Sequence, residues 1–228
     1  MTTLRALLAD LIGEDCRFCS SPCSDVPGLC KSCLSDLEWN ITSCFYCGIP
    51  ISSSSVCLSC ASRPSPLIGT VSPLIYADQT ARLIQSFKYG HQLALASTLG
   101  AIMRRRLPRF LRPTTVLLPV PSCPVRFRAR GFNPAAEIAM SLADSVGVDC
   151  ELSAVARRRG AVPQSSLKRE AARRRNIRGA FKVQSCVPRD VVIVDDVMTS
   201  GATTRELSRQ LMAAGSERIN IWVCARAA

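Results

Sequence analysis

Apolar residues recur with two periods along this chain, and the changes of period mark its elements. Leu4, Leu7, Leu8, Leu11 and Ile12 follow helical spacing and predict a short amphipathic helix. Arg5 and Asp10 interrupt that stretch and no small-residue cleavage site follows, so it does not read as a signal peptide. It reads as a helix docked on the protein's own core rather than a membrane anchor. The region up to residue 66 then carries few apolar residues. Val71 to Tyr76 predicts a strand, Thr80 to Tyr89 and Leu93 to Leu107 predict helices, and Thr115 to Val120 predicts a second strand. A helix follows with Ile138, Leu142 and Val146 on its apolar side. Val191 to Val194 is a β-branched run suited to a buried parallel strand. Thr203 to Ala214 predicts a helix with Leu207 and Leu211 on one face and Gly215 as its stop, and Ile219 to Ala225 a last strand.

The 228 residues suffice for one medium α/β domain plus something small. Ala61 to Ile68, with Pro64, Pro66, Ser62 and Ser65, reads as a linker. The expected organisation is a cysteine-rich module with its helix and linker over 1–66, and an α/β domain over 67–228. The longest purely apolar run is far too short to span a bilayer. With no targeting signal, a cytoplasmic location is expected.

The module contains four CxxC pairs: Cys16 and Cys19, Cys30 and Cys33, Cys44 and Cys47, Cys57 and Cys60. One CxxC turn brings two thiolates to one ion, and two such turns complete a tetrahedral zinc site. Gly48 suits the tight turn of a zinc knuckle. A lone CxxC would be ambiguous with a redox motif; four in a row point to two structural zinc ions. Neighbouring pairs are favoured over crossed pairing. Cys23 is a spare that could replace a neighbour as ligand. Cys123, Cys150, Cys186 and Cys224 stand singly and read mostly as small buried hydrophobes. Such a module folds mainly through metal binding. It could grip nucleic acid, grip a protein, or act as a structural cap.

The formal charge of +12 is uneven, at −2 over residues 1–66 and +14 over the remainder. Eight zinc-bound thiolates on two ions would lower the total to about +8. The basic excess suggests a polyanion partner, either nucleic acid or a pyrophosphate ligand.

Asp195, Asp196, Val197, Met198, Thr199, Ser200, Gly201, Ala202 and Thr203 follow the apolar run. An acidic pair at the carboxyl end of a parallel strand stands where open α/β sheets bind ligands. The turn after it offers small residues, hydroxyls and backbone N–H groups at a helix N-terminus, which is an anion site. The combination fits a ribose 5-phosphate, with carboxylates for the vicinal hydroxyls and a phosphate cradle one ribose length away. The alternative is two solvated aspartates at the mouth of an ordinary strand-loop-helix. The pattern is similar to the phosphoribosyl-pyrophosphate (PRPP) motif of type I phosphoribosyltransferases. No G-x-x-x-x-G-K-[ST] occurs, so a P-loop is excluded.

A second loop, Pro121 to Asn133, is Pro-rigid and carries Arg126, Arg128 and Arg130, which suits a pyrophosphate. Arg157 to Arg178 holds nine basic residues and one acid, Glu170. It reads as a basic hood that closes over pyrophosphate or grips a nucleic-acid backbone, or as a solvated surface. His91, the only histidine, reads as a loop or packing residue.

Together the four CxxC pairs, Phe87-Lys88-Tyr89, Pro119-Val120-Pro121, Arg126, Arg130-Gly131-Phe132-Asn133, Gln164, Leu167, Arg169, Arg175-Asn176, Gly179-Ala180-Phe181 and the Asp195-Asp196 motif resemble the ComF family. In that competence-associated family a zinc module precedes a phosphoribosyltransferase domain. The resemblance implies a type I phosphoribosyltransferase-like parallel sheet flanked by helices, with a small N-terminal zinc-ribbon module. It implies PRPP with Mg²⁺ at Asp195, Asp196, Val197, Thr199, Ser200, Gly201, Ala202 and Thr203. Arg126 and Arg130 would assist, and the enzyme class would be a Mg-dependent phosphoribosyltransferase with no fixed acceptor. It also implies work on single-stranded DNA during natural transformation, beside a DNA-uptake helicase or other competence proteins. The alternatives on the same fold are a non-catalytic nucleic-acid-binding module and a PRPP-sensing regulator. The chain departs from the family pattern at Cys123, Pro134 and Ala161, where His, Gln and Thr are usual. These departures bear on catalysis more than on PRPP binding.

Overall fold

The computed structural model describes residues 15–23, 25–62, 69–90, 92–158, 177 and 179–228. The expected N-terminal helix, residues 63–68 of the linker, His91, and the basic hood from 159 to 176 with Arg178 lie outside the described residues.

The short helices α1 (Lys31–Ser35) and α2 (Leu58–Ala61) belong to the cysteine-rich region. The larger domain runs β1 (Thr70–Val71), β2 (Leu74–Ile75), α3 (Asp78–Tyr89), α4 (Leu95–Arg104), β3 (Val116–Pro119), α5 (Pro124–Arg130) and α6 (Pro134–Val146). It continues with β4 (Asp149–Cys150), β5 (Val155–Arg157), β6 (Phe181–Val183), β7 (Asp190–Met198), α7 (Ala202–Ala213) and β8 (Arg218–Arg226). The main sheet has the order β1-β8-β7-β3-β4, with β2 also on β8, and every pairing in it is parallel. Strands β5 and β6 form a separate antiparallel pair.

Strand alternation divides the core in two. Val192, Val194, Trp222 and Cys224 face one side, where they meet Leu83, Phe87, Leu99, Ile138 and Leu142 of α3, α4 and α6. Val191, Ile193, Ile221 and Val223 face the other, where they meet Leu207, Leu211, Val155 and Phe181. Helices therefore cover both faces, which suits strands that are apolar throughout.

Three expectations needed revision. The strand expected over Val71 to Tyr76 is split, because Pro73 has no N–H to give the ladder. The loop after β3 contains helix α5, whose Pro124 takes the first helical position, where a missing N–H costs nothing. Strand β7 does not end at Val194; it pairs with β8 through Met198, so both aspartates lie inside it.

The cysteine-rich region packs onto the first face of the sheet. Val26, Leu29, Leu34 and Leu37 join the same apolar cluster as α4. Trp39 bridges Leu74, the Ile75 N–H donates to Glu38 C=O at 2.7 Å, and the Thr70 N–H to Phe45 C=O at 2.7 Å. Glu38 also acts as a remote cap. Ala77, at the start of α3, makes no side-chain cap bond. Instead the Glu38 carboxylate accepts the N–H groups of Gln79 (3.1 Å) and Thr80 (2.9 Å). Burial opposes its ionisation, but the bonds from Thr80 and Gln79 hold its pKa below the usual value. Replacing an N-terminal cap costs about 1 kcal/mol. Glu38→Ala should therefore lower the unfolding free energy by about that amount at constant zinc, read as a lower denaturant midpoint with the slope unchanged. An unaltered midpoint would show that the cap contributes nothing.

Candidate functional site

The carboxyl ends of β3 and β7 open into one cleft of about 340 Å³. Its lining includes Asp195, Asp196, Val197, Thr199, Gly201, Ala202 and Thr203 on one wall, and Arg126, Arg130 and Arg157 among the others. The acidic pair and the arginine loop, separated in sequence, thus share one space. Lys88, Tyr76 and Asn133 line it as well.

The two carboxylates have different surroundings. Asp196 is 8% exposed and pairs with Lys88, whose Nζ lies 2.8 Å from its Oδ1. Burial alone would depress the Lys88 pKa; Asp196 and, more weakly, Asp195 hold it above the ordinary value. The next residue along a strand points the other way, so Asp195 has no such cation within bonding distance among the described ion pairs. One oxygen accepts the Asp196 N–H at 2.9 Å. Burial, reinforced by the Asp196 carboxylate, pushes Asp195 up to about 8, against the opposing pull of Lys88, that N–H and Arg157. With one lysine for two carboxylates, ionising Asp195 leaves a deficit of positive charge. A hard divalent cation bound by oxygen ligands would fill it, so these residues fit the Mg²⁺ that accompanies PRPP.

The loop after β7 is a tight glycine turn leading into the N-terminus of α7. Gly201 has φ +68°, a left-handed conformation that side-chain-bearing residues rarely adopt, and a Cβ there would meet the Arg205 guanidinium at 3.0 Å. Arg205 donates to the Ser200 C=O at 2.6 Å, and the buried Thr204 hydroxyl donates to the Gly201 C=O at 3.0 Å. These bonds fix the turn at the N-terminus of α7, where N–H groups and the helix dipole favour phosphate. Ser200 is placed differently from its neighbours. Its hydroxyl accepts the Ala202 N–H at 3.4 Å, and it is absent from the cleft lining.

On the facing wall, Arg126 and Arg130 are four residues apart on α5 and so lie on one side of it. Asn133 secures the base of this loop, donating to the Val120 C=O at 3.1 Å and meeting the Ser122 hydroxyl at 2.7 Å. Arg157 comes from the β5–β6 pair. Its guanidinium stands 5.7 Å from the Phe181 ring centre, and its Nε is buried with no hydrogen-bond partner. Cys123 and Pro134, two of the departures from the ComF pattern, both line the cleft. Sequence reasoning gave no role to Lys88 or Arg157 individually. The signal for Lys88 was present in Phe87-Lys88-Tyr89, where Phe87 is fully buried and Tyr89 exposed, which leaves Lys88 between core and surface.

The eight paired cysteines form two groups: Cys16, Cys19, Cys30 and Cys33, then Cys44, Cys47, Cys57 and Cys60. Neighbouring pairs combine, as favoured from the spacing. Within each group the sulfurs lie within 4.8 Å of one another. Separations of 3.5 Å for Cys19 to Cys30 and 3.8 Å for Cys47 to Cys57 fit a tetrahedron with zinc–sulfur bonds of about 2.3 Å. Backbone N–H groups of Cys33 and Cys57 point at Cys30 and Cys44 Sγ, at 3.4 and 3.3 Å. Although burial opposes it, such bonds lower Cys16 to about 6 and Cys44 to about 7, favouring thiolate ligands. The second group touches the cleft through Arg226. This residue, 8% exposed, donates from Nε to the Cys47 C=O at 2.9 Å and from Nη1 to the Met198 C=O at 3.2 Å.

Comparison with curated proteins supplies the lineage. The chain is 30% identical to the DNA utilization protein YhgH of Escherichia coli K12 over 206 residues, covering 87% of this chain and 90% of the relative. The chain belongs to the ComF family. The ComF chain is also 28% identical to competence protein F of Haemophilus influenzae over 210 residues, covering 88% and 91% of the two chains. No protein-family model matches it. Among solved structures it resembles the allosteric regulatory enzyme of purine biosynthesis, at 19% identity and TM-score 0.39 over 61% of this chain and 30% of that one. It also resembles a hypoxanthine-guanine phosphoribosyltransferase from Bacillus anthracis, at 13% identity and TM-score 0.32 over 63% and 66%. Scores at this level establish no closer relationship.

Two measurements check the charge and metal assignments. Folded Asp195 keeps its proton to about pH 8, whereas an unfolded aspartate releases it near pH 4. The folded state therefore binds the extra proton, and stability falls as pH rises between those values. Asp195→Asn removes that loss, so without PRPP the variant should gain more in Tm over the parent at pH 8.5 than at pH 6. An equal gain at both would mean that Asp195 is ionised throughout. Elemental analysis of protein purified without chelator should approach two zinc ions per chain, and a value near zero would refute the metal assignment.

Proposed function

We propose that this ComF-family chain binds PRPP with Mg²⁺ in the cleft at the end of β7 and acts in the handling of single-stranded DNA. The observation that supports it best is the convergence, in one cleft, of an acidic pair, a left-handed turn at a helix N-terminus and three arginines from two further elements. Thr199, Gly201, Ala202 and Thr203 would hold the 5-phosphate, with Ser200 shaping the turn. Asp195 and Asp196 would hold the ribose hydroxyls, directly or through Mg²⁺ and water, while Lys88 pairs with Asp196. Arg126, Arg130 and Arg157 would face the pyrophosphate and stabilise the charge that develops as its bond to C1 breaks. The names of the curated relatives, DNA utilization protein and competence protein F, support the DNA context. Within that context, a DNA-uptake helicase or other competence proteins are the expected partners, and the cytoplasm is the expected location. Among the described residues no helix is long and apolar enough to cross a membrane.

A second reading, a PRPP-binding regulator without turnover, draws on Cys123 and Pro134. They occupy cleft positions where the family resemblance implies His and Gln, and among the described residues the lining offers no evident base for an acceptor.

Calorimetry with PRPP and Mg²⁺ tests binding, and pyrophosphate release across nucleobases separates the two readings. Changing both Asp195 and Asp196 to Asn keeps their size and removes the acceptor charge. The double variant should lose PRPP affinity by tenfold or more while remaining folded. Undiminished affinity would place PRPP elsewhere.

A further inference from the structure

Helix α5 is unusual for what it leaves uncovered. None of its seven residues is buried. Val125 is 56% exposed and Phe127 48% exposed. Just beyond the cleft rim, Tyr89 at the end of α3 is 66% exposed, and the Arg130 guanidinium stacks over its ring at 4.6 Å from the centre. Phe127 precedes Arg130 by three residues and so lies on the same side of α5. Two exposed rings therefore flank one arginine that also lines the cleft, in a chain only 5% aromatic. The helix carries Arg126, Arg128 and Arg130 and no acid. Its end opens outward, since a Cβ at Gly131 would meet nothing within 4 Å.

We propose that Tyr89, Phe127 and Arg130 form a stacking platform for unpaired bases of a single-stranded nucleic acid, with Arg128 beside it for the adjoining phosphates. Exposed rings interleaved with cations are what a single strand requires. Each base offers a flat face to a ring or guanidinium, and each phosphate offers a charge to an arginine. An acidic protein partner would account for the arginines but not for two rings left open to water. A free nucleobase would account for the rings but not for Arg128, outside the cleft lining. The platform borders the PRPP cleft through the shared Arg130, so a strand lying on it would present a nucleotide to the mouth of that cleft. The assignment rests on the nucleic-acid part of the proposed function. It extends that part to bases, where the arginine-rich composition alone suggested only backbone contacts.

The test is fluorescence anisotropy on the full chain with a poly-pyrimidine oligonucleotide, a mixed-sequence oligonucleotide and an abasic oligonucleotide of equal length, at several salt concentrations. The variants are Tyr89→Ala, Phe127→Ala, their combination, and Tyr89→Trp. The double variant should bind the base-bearing strands about tenfold more weakly or worse, and the abasic strand unchanged. Its salt slope should stay the same, because no phosphate contact is removed. Tyr89→Trp should retain the affinity of the parent. PRPP calorimetry on the double variant should match the parent, which excludes a damaged fold. Equal binding of base-bearing strands by parent and double variant would overturn the platform and leave the nucleic-acid reading standing. Equal losses for abasic and base-bearing strands would overturn stacking in favour of a phosphate surface. No binding of any strand by the parent would overturn the nucleic-acid reading, and the platform with it. A change in oligomeric state on mutation, with DNA binding intact, would reassign the surface to a second copy of the chain.

Discussion

Two carboxylates and one lysine, set together at the end of the central strand with Asp196 buried and the other two half-buried, set the terms for the rest of the cleft. Lys88 satisfies Asp196, and Asp195 is left to hold a proton or wait for a cation. The arrangement works only if α3 delivers Lys88 to the strand end, and α3 is fixed from both sides. Phe87 beneath it is fully buried and stands 5.5 Å from Phe132, while Glu38 ties down its first turn. A charge placed so deep is costly unless paired. Binding sites often store such a cost, and a ligand that brings the missing counter-ion relieves it.

Much of this was legible in the sequence, and the reason differs from part to part. The zinc ligands were legible because metal chelation is local: two cysteines three apart must meet, and few other functions need four such pairs. The β7 motif was legible because an apolar strand, two acids and a glycine turn occur in unbroken order. Helix α5 was hidden because its arginines and Pro124 mimic a loop, and because a helix that buries nothing has no apolar stripe to reveal it. Strands β5 and β6, three residues each, are too short for a period to show. The role of Lys88 depends on a partner more than a hundred positions away, and no local pattern records that. Tyr89 illustrates the limit of composition: few aromatics overall says nothing of where two of them stand.

The cysteine-rich region is tied to the larger domain rather than tethered beside it. Its backbone bridges Leu74, its Glu38 caps α3, and the Thr98 hydroxyl reaches back to the Pro27 C=O at 2.6 Å. Metal held by the two four-cysteine groups would supply folding energy that its small apolar content cannot. Through Arg226 the carbonyl of a metal-ligating cysteine and the carbonyl at the end of β7 share one guanidinium. The second four-cysteine group is thereby linked to the strand end from which the β7–α7 turn leaves.

The position of β8 in the sheet has a consequence for how the chain is made. β8 follows every other described strand along the chain, yet it is inserted between β1 and β7 and pairs with both. Until it arrives, the first strand has no neighbour, and Arg226 is not there to join the zinc knuckle to the end of β7. The cysteine pairs can take up metal early, since their contacts are local. The two-strand edge that β1 and β8 make, and the Arg226 link from Cys47 to the end of β7, must both wait for the same nine residues. A chain cut short within β8 would therefore keep both four-cysteine groups and lack the completed wall of the cleft.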